Sequence, residues 1–122
     1  MRNITLPADS FLLSKDFLYG VATSSFQIEG DRGGRLDSIW DTFCSQSNTI
    51  KDNSNGDVAC QHVGKWQEDV ALIAGLGVDA YRLSISWPRV INSDGTINHM
   101  GMQFYANLVD ELVKRNIKVF VT

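Results

Sequence analysis

The sequence predicts an α/β fold whose strands form a parallel sheet. Three short apolar stretches, at residues 18–24, 78–86 and 118–122, are separated by two amphipathic patterns of helical period. The composition, with 43% hydrophobic and 20% charged residues, is that of a globular domain. Strands that alternate with helices pair in parallel, because each helix carries the chain back across the sheet in a right-handed crossover. The expected order is therefore β-α-β-α-β.

The first strand and the segment after it differ in composition. Residues 18–24 combine apolar and small side chains, which is typical of a buried strand. Residues 30–57 are rich in Gly, Ser, Asn and Asp, with one apolar island at Ile39, Trp40 and Phe43. We expect this segment to be a long loop, and loops of more than about 12 to 15 residues inside a compact domain are often functional.

The first helix is predicted over residues 60–76 and the second strand over residues 78–86. Gly77 lies between them, in the position where a glycine commonly ends a helix. The strand is an apolar stretch closed by Trp87 and Pro88. In the helix, apolar residues recur at the spacing that one buried face requires, and they are Val63, Trp66, Val70 and Ile73.

A second helix is predicted over residues 102–116, and a third strand over residues 118–122. A domain rarely ends inside a buried parallel strand, and an eight-stranded (β/α)8 barrel takes about 250 residues. We therefore expect residues 1–122 to be an incomplete single domain that holds the first three strands and two helices of a larger sheet. The apolar face of the second helix consists of Tyr105, Leu108, Val109, Leu112 and Val113.

Charge and hydropathy argue against several classes of function. The net charge of −3 comes without a cluster of Lys or Arg, so no nucleic-acid partner is expected. The apolar runs are far shorter than the roughly 20 residues that span a membrane, so no membrane association is expected either. No basic segment followed by an apolar one opens the chain, and we predict a cytoplasmic protein.

The cysteines and histidines do not predict a metal site. Cys44 and Cys60 lack the CxxC spacing of zinc sites and are predicted to be free thiols. His62 and His99 have no further ligand at metal spacing. We interpret His62 as a hydrogen-bonded histidine at a helix start and His99 as a loop histidine.

Three segments together resemble glycoside hydrolase family 1, the β-glucosidase family. Residues 17–30 read Phe-Leu-Tyr-Gly-Val-Ala-Thr-Ser-Ser-Phe-Gln-Ile-Glu-Gly and resemble the family's N-terminal signature, which ends in Gln-x-Glu-Gly. Residues 38–43, Ser-Ile-Trp-Asp-Thr-Phe, and residues 77–89, Gly-Val-Asp-Ala-Tyr-Arg-Leu-Ser-Ile-Ser-Trp-Pro-Arg, resemble further family segments in the same order and spacing. The chain departs from the family at residues 60–63, Cys-Gln-His-Val, where an Asp usually precedes the His and a Tyr follows it.

The resemblance implies the N-terminal portion of a (β/α)8 TIM barrel and a parent protein that is a retaining β-glycosidase. In the family, the residue matching Gln27 holds the glycone, and the one matching Arg82 contacts the nucleophilic Glu. The two catalytic glutamates follow the fourth and seventh strands, which this chain does not reach, so the chain alone is expected to be inactive. The implied substrate is a β-glycoside or oligosaccharide, with no cofactor, and the implied partner is the remainder of the barrel.

The residue types support these two roles and leave an alternative for each. Gln27 follows the first strand, and its amide both donates and accepts hydrogen bonds, as adjacent sugar hydroxyls do. The alternative is a Gln that only caps a turn. Arg82 lies inside the apolar second strand, where an unpaired guanidinium is costly to bury, so we expect a carboxylate partner. The alternative is a structural salt bridge elsewhere.

Other residues near the site are interpreted as structural. Glu29 is not expected to be catalytic, because retaining hydrolysis needs two carboxyl groups about 5 to 5.5 Å apart and no second acid follows a strand end here. Core or rim positions are favoured over sugar platforms for the three tryptophans, Trp40, Trp66 and Trp87.

Two other classes of function stay open. Exposed strand edges favour a non-catalytic barrel fragment that covers them by self-association. A nucleotide-binding α/β module fits the strand order, but residues 30–34 match neither of the common phosphate-binding patterns.

Overall fold

The structure, a computed structural model, describes residues 5–122 and contains a parallel three-stranded sheet in the order β1-β2-β3. The strands are β1 (Gly20–Ala22), β2 (Ala80–Leu83) and β3 (Lys118–Val121). The predicted strands are confirmed, although each is shorter than the apolar stretch that indicated it. Residues 1–4 of the predicted domain lie outside the described residues.

Two long helices connect the strands, so the predicted order β-α-β-α-β is confirmed. No helix within residues 5–122 combines the length and the apolar character that a bilayer crossing requires. Short 3-10 turns lie at Phe11–Leu13 and Arg32–Gly34. The α-helices are α1 (Ser25–Ile28), α2 (Ile39–Ser45), α3 (His62–Gly75), α4 (Trp87–Val90) and α5 (His99–Lys114).

The ends of α3 and α5 follow from local sequence. Gly77 has a φ of +68°, the left-handed conformation that glycine adopts without strain, and it turns the chain from α3 into β2. Helix α5 begins at His99, earlier than the predicted residue 102, because the Asn98 side chain accepts hydrogen bonds from two backbone N–H groups of the first turn. His99 is therefore the first residue of a helix, and its interpretation as a loop histidine is wrong.

The prediction of a structureless loop over residues 30–57 is wrong at helix α2. The apolar island forms this helix, which a capping box begins. The Ser38 side chain accepts a hydrogen bond from the Asp41 N–H, and the Asp41 carboxylate accepts one from the Ser38 N–H at 2.7 Å. Ser-x-x-Asp is a variant of the usual Ser-x-x-Glu capping signal. Together with the apolar residues that follow Ser38, it identifies the start of the helix.

The core lies on one face of the sheet, which α3 and α5 cover. Tyr81 and Leu83 point from β2 toward these helices and are 0% and 3% exposed. Val113, predicted on the buried face of α5, is 58% exposed, because one residue past Leu112 the helix has turned by about 100°. The buried cluster comprises Val70, Tyr81, Leu83, Val90, Tyr105, Leu108, Leu112 and Ile117.

Within residues 5–122 the opposite face of the sheet is bare toward the carboxyl ends of the strands, whereas Ala80, near the other end of this face, is 6% exposed. Ala22, Arg82 and Phe120 are paired across the three strands, so their side chains stand in one row on this face. All three are exposed, and Phe120 retains 51% of its accessible surface. The sheet therefore has one packed face and one open face.

Candidate functional site

The candidate site lies at the carboxyl ends of the strands, which meet at one edge because the sheet is parallel. Backbone contacts hold the segments after β1 and β2 together there. The Thr23 N–H donates to the Arg82 carbonyl at 3.0 Å, and the Ser25 N–H donates to the Ser84 hydroxyl at 2.8 Å. Helix α1 therefore starts in direct contact with the segment that follows β2.

Gln27 lies in α1, beyond the end of β1 as predicted, with its side chain exposed. It lines a cleft of about 360 Å³ between α1, α2 and the loop after α2. Phe26 and Trp40 form an aromatic wall of this cleft, with ring centroids 6.3 Å apart. The other lining residues are Ser24, Cys44, Ile50, Ser54, Asn55 and Gly56.

A second cleft of about 230 Å³ extends from the first toward the segment after β2. The two clefts share Ser24, Phe26, Trp40 and Gly56. Trp40 and Trp87 line the second cleft and are 52% and 70% exposed, so they are rim residues. Trp66 packs against the buried cluster.

The environment of Arg82 differs from the buried one that the sequence argument assumed, whereas its role toward a nucleophilic carboxylate stays a prediction. Arg82 lies within β2, but its side chain is exposed on the bare face, between Ala22 and Phe120 in the strand register. Alternation along the strand explains this position, because Tyr81 and Leu83 take the helix-covered face. Within residues 5–122 no carboxylate lies at ion-pair distance from the Arg82 guanidinium. The expected partner is thus not among the described residues.

A buried ion pair joins the two segments that follow β1 and β2. Glu29 and Arg89 are 4% and 2% exposed, and Arg89 Nε donates to Glu29 Oε2 at 2.9 Å. The Tyr105 hydroxyl, from α5, donates to Glu29 Oε1. Arg89 also donates to the Gly30 carbonyl at 3.1 Å and to Asp31 Oδ2 at 2.7 Å. Both oxygens of Glu29 are engaged, as suits the structural role expected for this residue.

Sequence reasoning missed this network. Arg89 ends the segment Trp-Pro-Arg, and nothing in its local pattern marks it as buried. The available signal was positional, since Glu29 and Arg89 each follow one of two neighbouring parallel strands and must lie at the same edge of the sheet. Two opposite charges placed that way are candidates for an ion pair.

The charge of Glu29 has an electrostatic consequence for Tyr105. Burial, the nearby Glu29 carboxylate and the hydrogen bond between them raise the pKa of the Tyr105 phenol far above its usual range. The hydroxyl therefore stays protonated. It donates to Glu29 and accepts from the Ser86 N–H at 2.8 Å.

A second ion pair fixes helix α2 beside the cleft. Arg35 Nη1 and Nη2 donate to the two oxygens of Asp41 at 2.6 and 2.8 Å, a bidentate arrangement. The guanidinium and the hydrogen bonds from Ser38 hold the pKa of the Asp41 carboxyl well below its usual range. The Arg35 guanidinium also lies 5.5 Å from the centre of the Phe26 ring. This pair thus supports both α2 and the aromatic wall.

The remaining predicted residues have structural positions. His62 begins α3, and its Nδ1 lies 2.6 Å from Asp69 Oδ2, whereas its buried Nε2 has no hydrogen-bond partner within residues 5–122. The predicted hydrogen bond is therefore confirmed for one ring nitrogen. Cys44 and Cys60 are free thiols, as predicted, and Cys44 lines the cleft beside Gln27.

The sequence profile of glycosyl hydrolase family 1 matches residues 10–122, nearly the whole chain. The chain belongs to glycosyl hydrolase family 1. A β-glucosidase from Agrobacterium sp. is 50% identical over 110 residues, which cover 88% of this chain and 24% of that protein. The solved structure of a β-glucosidase from Exiguobacterium marinum aligns with a TM-score of 0.85 at 49% identity, covering 88% of this chain and 25% of that one.

A further similar structure carries information about a ligand. The virulence factor SghA from Agrobacterium tumefaciens aligns with a TM-score of 0.83 at 50% identity, over 87% of this chain and 24% of that one. One structure of SghA holds its substrate analog salicin. The chain spans about a quarter of the length of the family 1 relatives it matches.

Proposed function

We propose that this chain is the first quarter of a retaining β-glycosidase of the β-glucosidase type. Its three parallel strands would be the first three of a (β/α)8 barrel, and residues 1–122 would be an incomplete single domain of that barrel. The bare sheet face supports this proposal, since a barrel wall is covered by helices outside and lines the barrel interior on its other face. The identity to β-glucosidases over nearly the whole chain supports the activity.

The observation that carries the proposal is the placement of Gln27 and Arg82. Gln27 lies in a cleft past the carboxyl end of β1, and Arg82 stands on the bare face near the same end of β2. This is the end at which barrel enzymes bind their substrates. We assign Gln27 to binding of the glycone hydroxyls, and Arg82 to holding the nucleophilic carboxylate in its charged form.

The chemistry itself would be supplied from outside this chain. One carboxylate attacks the anomeric carbon while a carboxylic acid protonates the leaving oxygen, and water then hydrolyses the glycosyl ester with retention. As the family resemblance implies, both groups would follow later strands, so the chain alone would be inactive. The substrate would be a β-glycoside or oligosaccharide, and salicin bound to the relative SghA supports a β-glucoside. A cytoplasmic location and the lack of a cofactor stay predictions from the sequence.

The proposal is tested with the full-length protein that contains this chain. We expect hydrolysis of p-nitrophenyl β-D-glucoside with the β-anomer of glucose released first, followed by NMR before mutarotation. Gln27→Ala should lower kcat/KM by about 30-fold, the loss of two neutral hydrogen bonds of about 1 kcal/mol each. Absence of turnover, or release of the α-anomer first, would contradict the proposal.

A second candidate function is a non-catalytic fragment that self-associates. It is favoured by the bare face and by β3, whose Phe120 and Val121 are 51% and 50% exposed. The measurement is light scattering of the 122-residue chain over a hundredfold range of concentration. A mass that rises with concentration would support self-association, and a constant monomer mass would exclude it.

A further inference from the structure

The segment that carries Gln27 is fixed at both of its ends. At the start of α1, the Ser25 N–H donates to the Ser84 hydroxyl at 2.8 Å. At its end, the Glu29 N–H donates to the Ser25 carbonyl at 2.9 Å, and the Glu29 carboxylate is bound by Arg89 and Tyr105. Gln27 therefore lies in the middle of a single helical turn whose two ends are attached to the segment after β2.

The chain behind this turn packs closely against it. Gly30 has a φ of +63°, and a Cβ at that position would collide with the Val58 carbonyl. The Ile28 and Glu29 carbonyls accept hydrogen bonds from the N–H groups of Cys60 and Val63, both at 3.2 Å. The backbone of the turn is thus bonded on its rear side, and the Glu29 carboxylate adds the contacts to Arg89 and Tyr105 to the hydrogen bond between Ser25 and Ser84.

We propose that Glu29 is a positioning residue for Gln27. Its buried carboxylate, bound by Arg89 and Tyr105, holds α1 at the distance from β2 at which the Gln27 amide meets the glycone. This inference rests on the proposed function and goes beyond it, because it assigns a role in substrate binding to a side chain that does not line the cleft occupied by Gln27 and lines the adjoining second cleft instead. Tyr105 can hold the Glu29 carboxylate in place, because its hydroxyl donates to Glu29 and is itself held by the Ser86 N–H.

The test is a double-mutant cycle in the full-length protein. Glu29→Gln keeps the shape of the side chain and removes its charge, and we expect it to lower kcat/KM for p-nitrophenyl β-D-glucoside by about tenfold. In the Gln27→Ala background, the same change should cost less than about twofold, because the residue on which it acts is gone. Glu68→Gln, an exposed carboxylate on α3, is the matched control and should leave kcat/KM unchanged.

A purely structural role for Glu29 gives a different result. Glu29→Gln would then lower kcat/KM by the same factor in both backgrounds, or not at all, and either outcome overturns the inference while wild-type turnover upholds the proposed function. Absence of wild-type turnover overturns both. If Glu29→Gln does not fold, Tyr105→Phe replaces it in the cycle, since it removes one hydrogen bond to Glu29 and leaves the ion pair. We expect a loss of about threefold that disappears in the Gln27→Ala background, and equal losses in the two backgrounds would overturn the inference.

Discussion

The two faces of the sheet differ in what covers them. On one face, Tyr81 and Leu83 are buried under α3 and α5, and the packing resembles that of a finished domain. On the other, Ala22, Arg82 and Phe120 form an exposed row within residues 5–122. The same three strands thus carry a packed core and an open surface that holds a charged side chain. The packed core therefore lies on one face of the sheet, and the proposed contact of Arg82 with the nucleophile lies on the other.

The largest loss of stability is expected for a side chain buried on the helix-covered face. Leu112→Ala removes a side chain that is 0% exposed under the sheet, and we expect the free energy of unfolding of the chain to fall by about 3 kcal/mol. Urea denaturation measures it. A loss below about 1 kcal/mol would mean that the helix-covered face is not a packed core.

A smaller loss of stability is expected when the ion pair between Arg35 and Asp41 is removed. The Asp41 carboxyl has a lowered pKa in the folded state, because Arg35 stabilises its charged form. Its contribution to stability is present above the unfolded pKa of about 4 and is lost as the pH falls through the folded value. Asp41→Asn should therefore lower the free energy of unfolding by about 2 kcal/mol at pH 7.

The pH dependence supplies the control for Asp41. The difference in unfolding free energy between wild type and Asp41→Asn should shrink as the pH falls below about 4. A difference that stays constant from pH 7 to pH 2 would show that the charge of Asp41 is not the cause. Asp52, an exposed aspartate in the loop after α2, offers a comparison variant, Asp52→Asn, that leaves the ion pair with Arg35 intact.

The proposed role of Arg82 gives a prediction for the bare face in the full-length protein. Arg82→Met removes a cation beside the nucleophile and should raise the pKa of that carboxylate. The acidic limb of the kcat/KM profile would then move to higher pH by about 1 unit or more, which is about 1.4 kcal/mol. An unchanged acidic limb, with kcat/KM lowered equally at every pH, would contradict this role.

The smallest expected effect is on the bare face of the isolated chain. Phe120→Ala should change its free energy of unfolding by less than about 0.5 kcal/mol, since the side chain is 51% exposed. In the full-length protein the same substitution should cost about 3 kcal/mol, because the other strands of the barrel would bury the ring. Equal changes in the free energy of unfolding in the two proteins would contradict the burial of Phe120 by other strands of the barrel.

The sequence predicted the elements whose patterns are strong and local. The spacing of Val63, Trp66 and Val70 is sufficient for α3, and Gly77 marks its end. The residues of the site are predicted less completely, because their environment is set by tertiary packing. Gln27 was placed correctly past β1, whereas the burial of Arg89 depends on α5 and on Glu29, which is sixty residues away.

Arg82 shows a different limit of prediction from sequence. A carboxylate partner was expected for Arg82, because an unpaired guanidinium is costly to bury inside an apolar strand. In residues 5–122 only the face of Tyr81 and Leu83 is covered, and Arg82 takes the other. Alternation along β2 predicts on which face each side chain lies. The sequence pattern alone does not tell which face is covered by other elements.

We propose that the catalytic groups lie outside this 13.6 kDa chain and that its bare face lies inside a larger enzyme. The most direct measurement separates a preparation from the native source by size and assays each fraction with p-nitrophenyl β-D-glucoside, with the intact mass of every polypeptide determined in parallel. We predict turnover only in fractions that contain more polypeptide than the 122-residue chain. Turnover by a fraction that holds this chain alone would contradict the account.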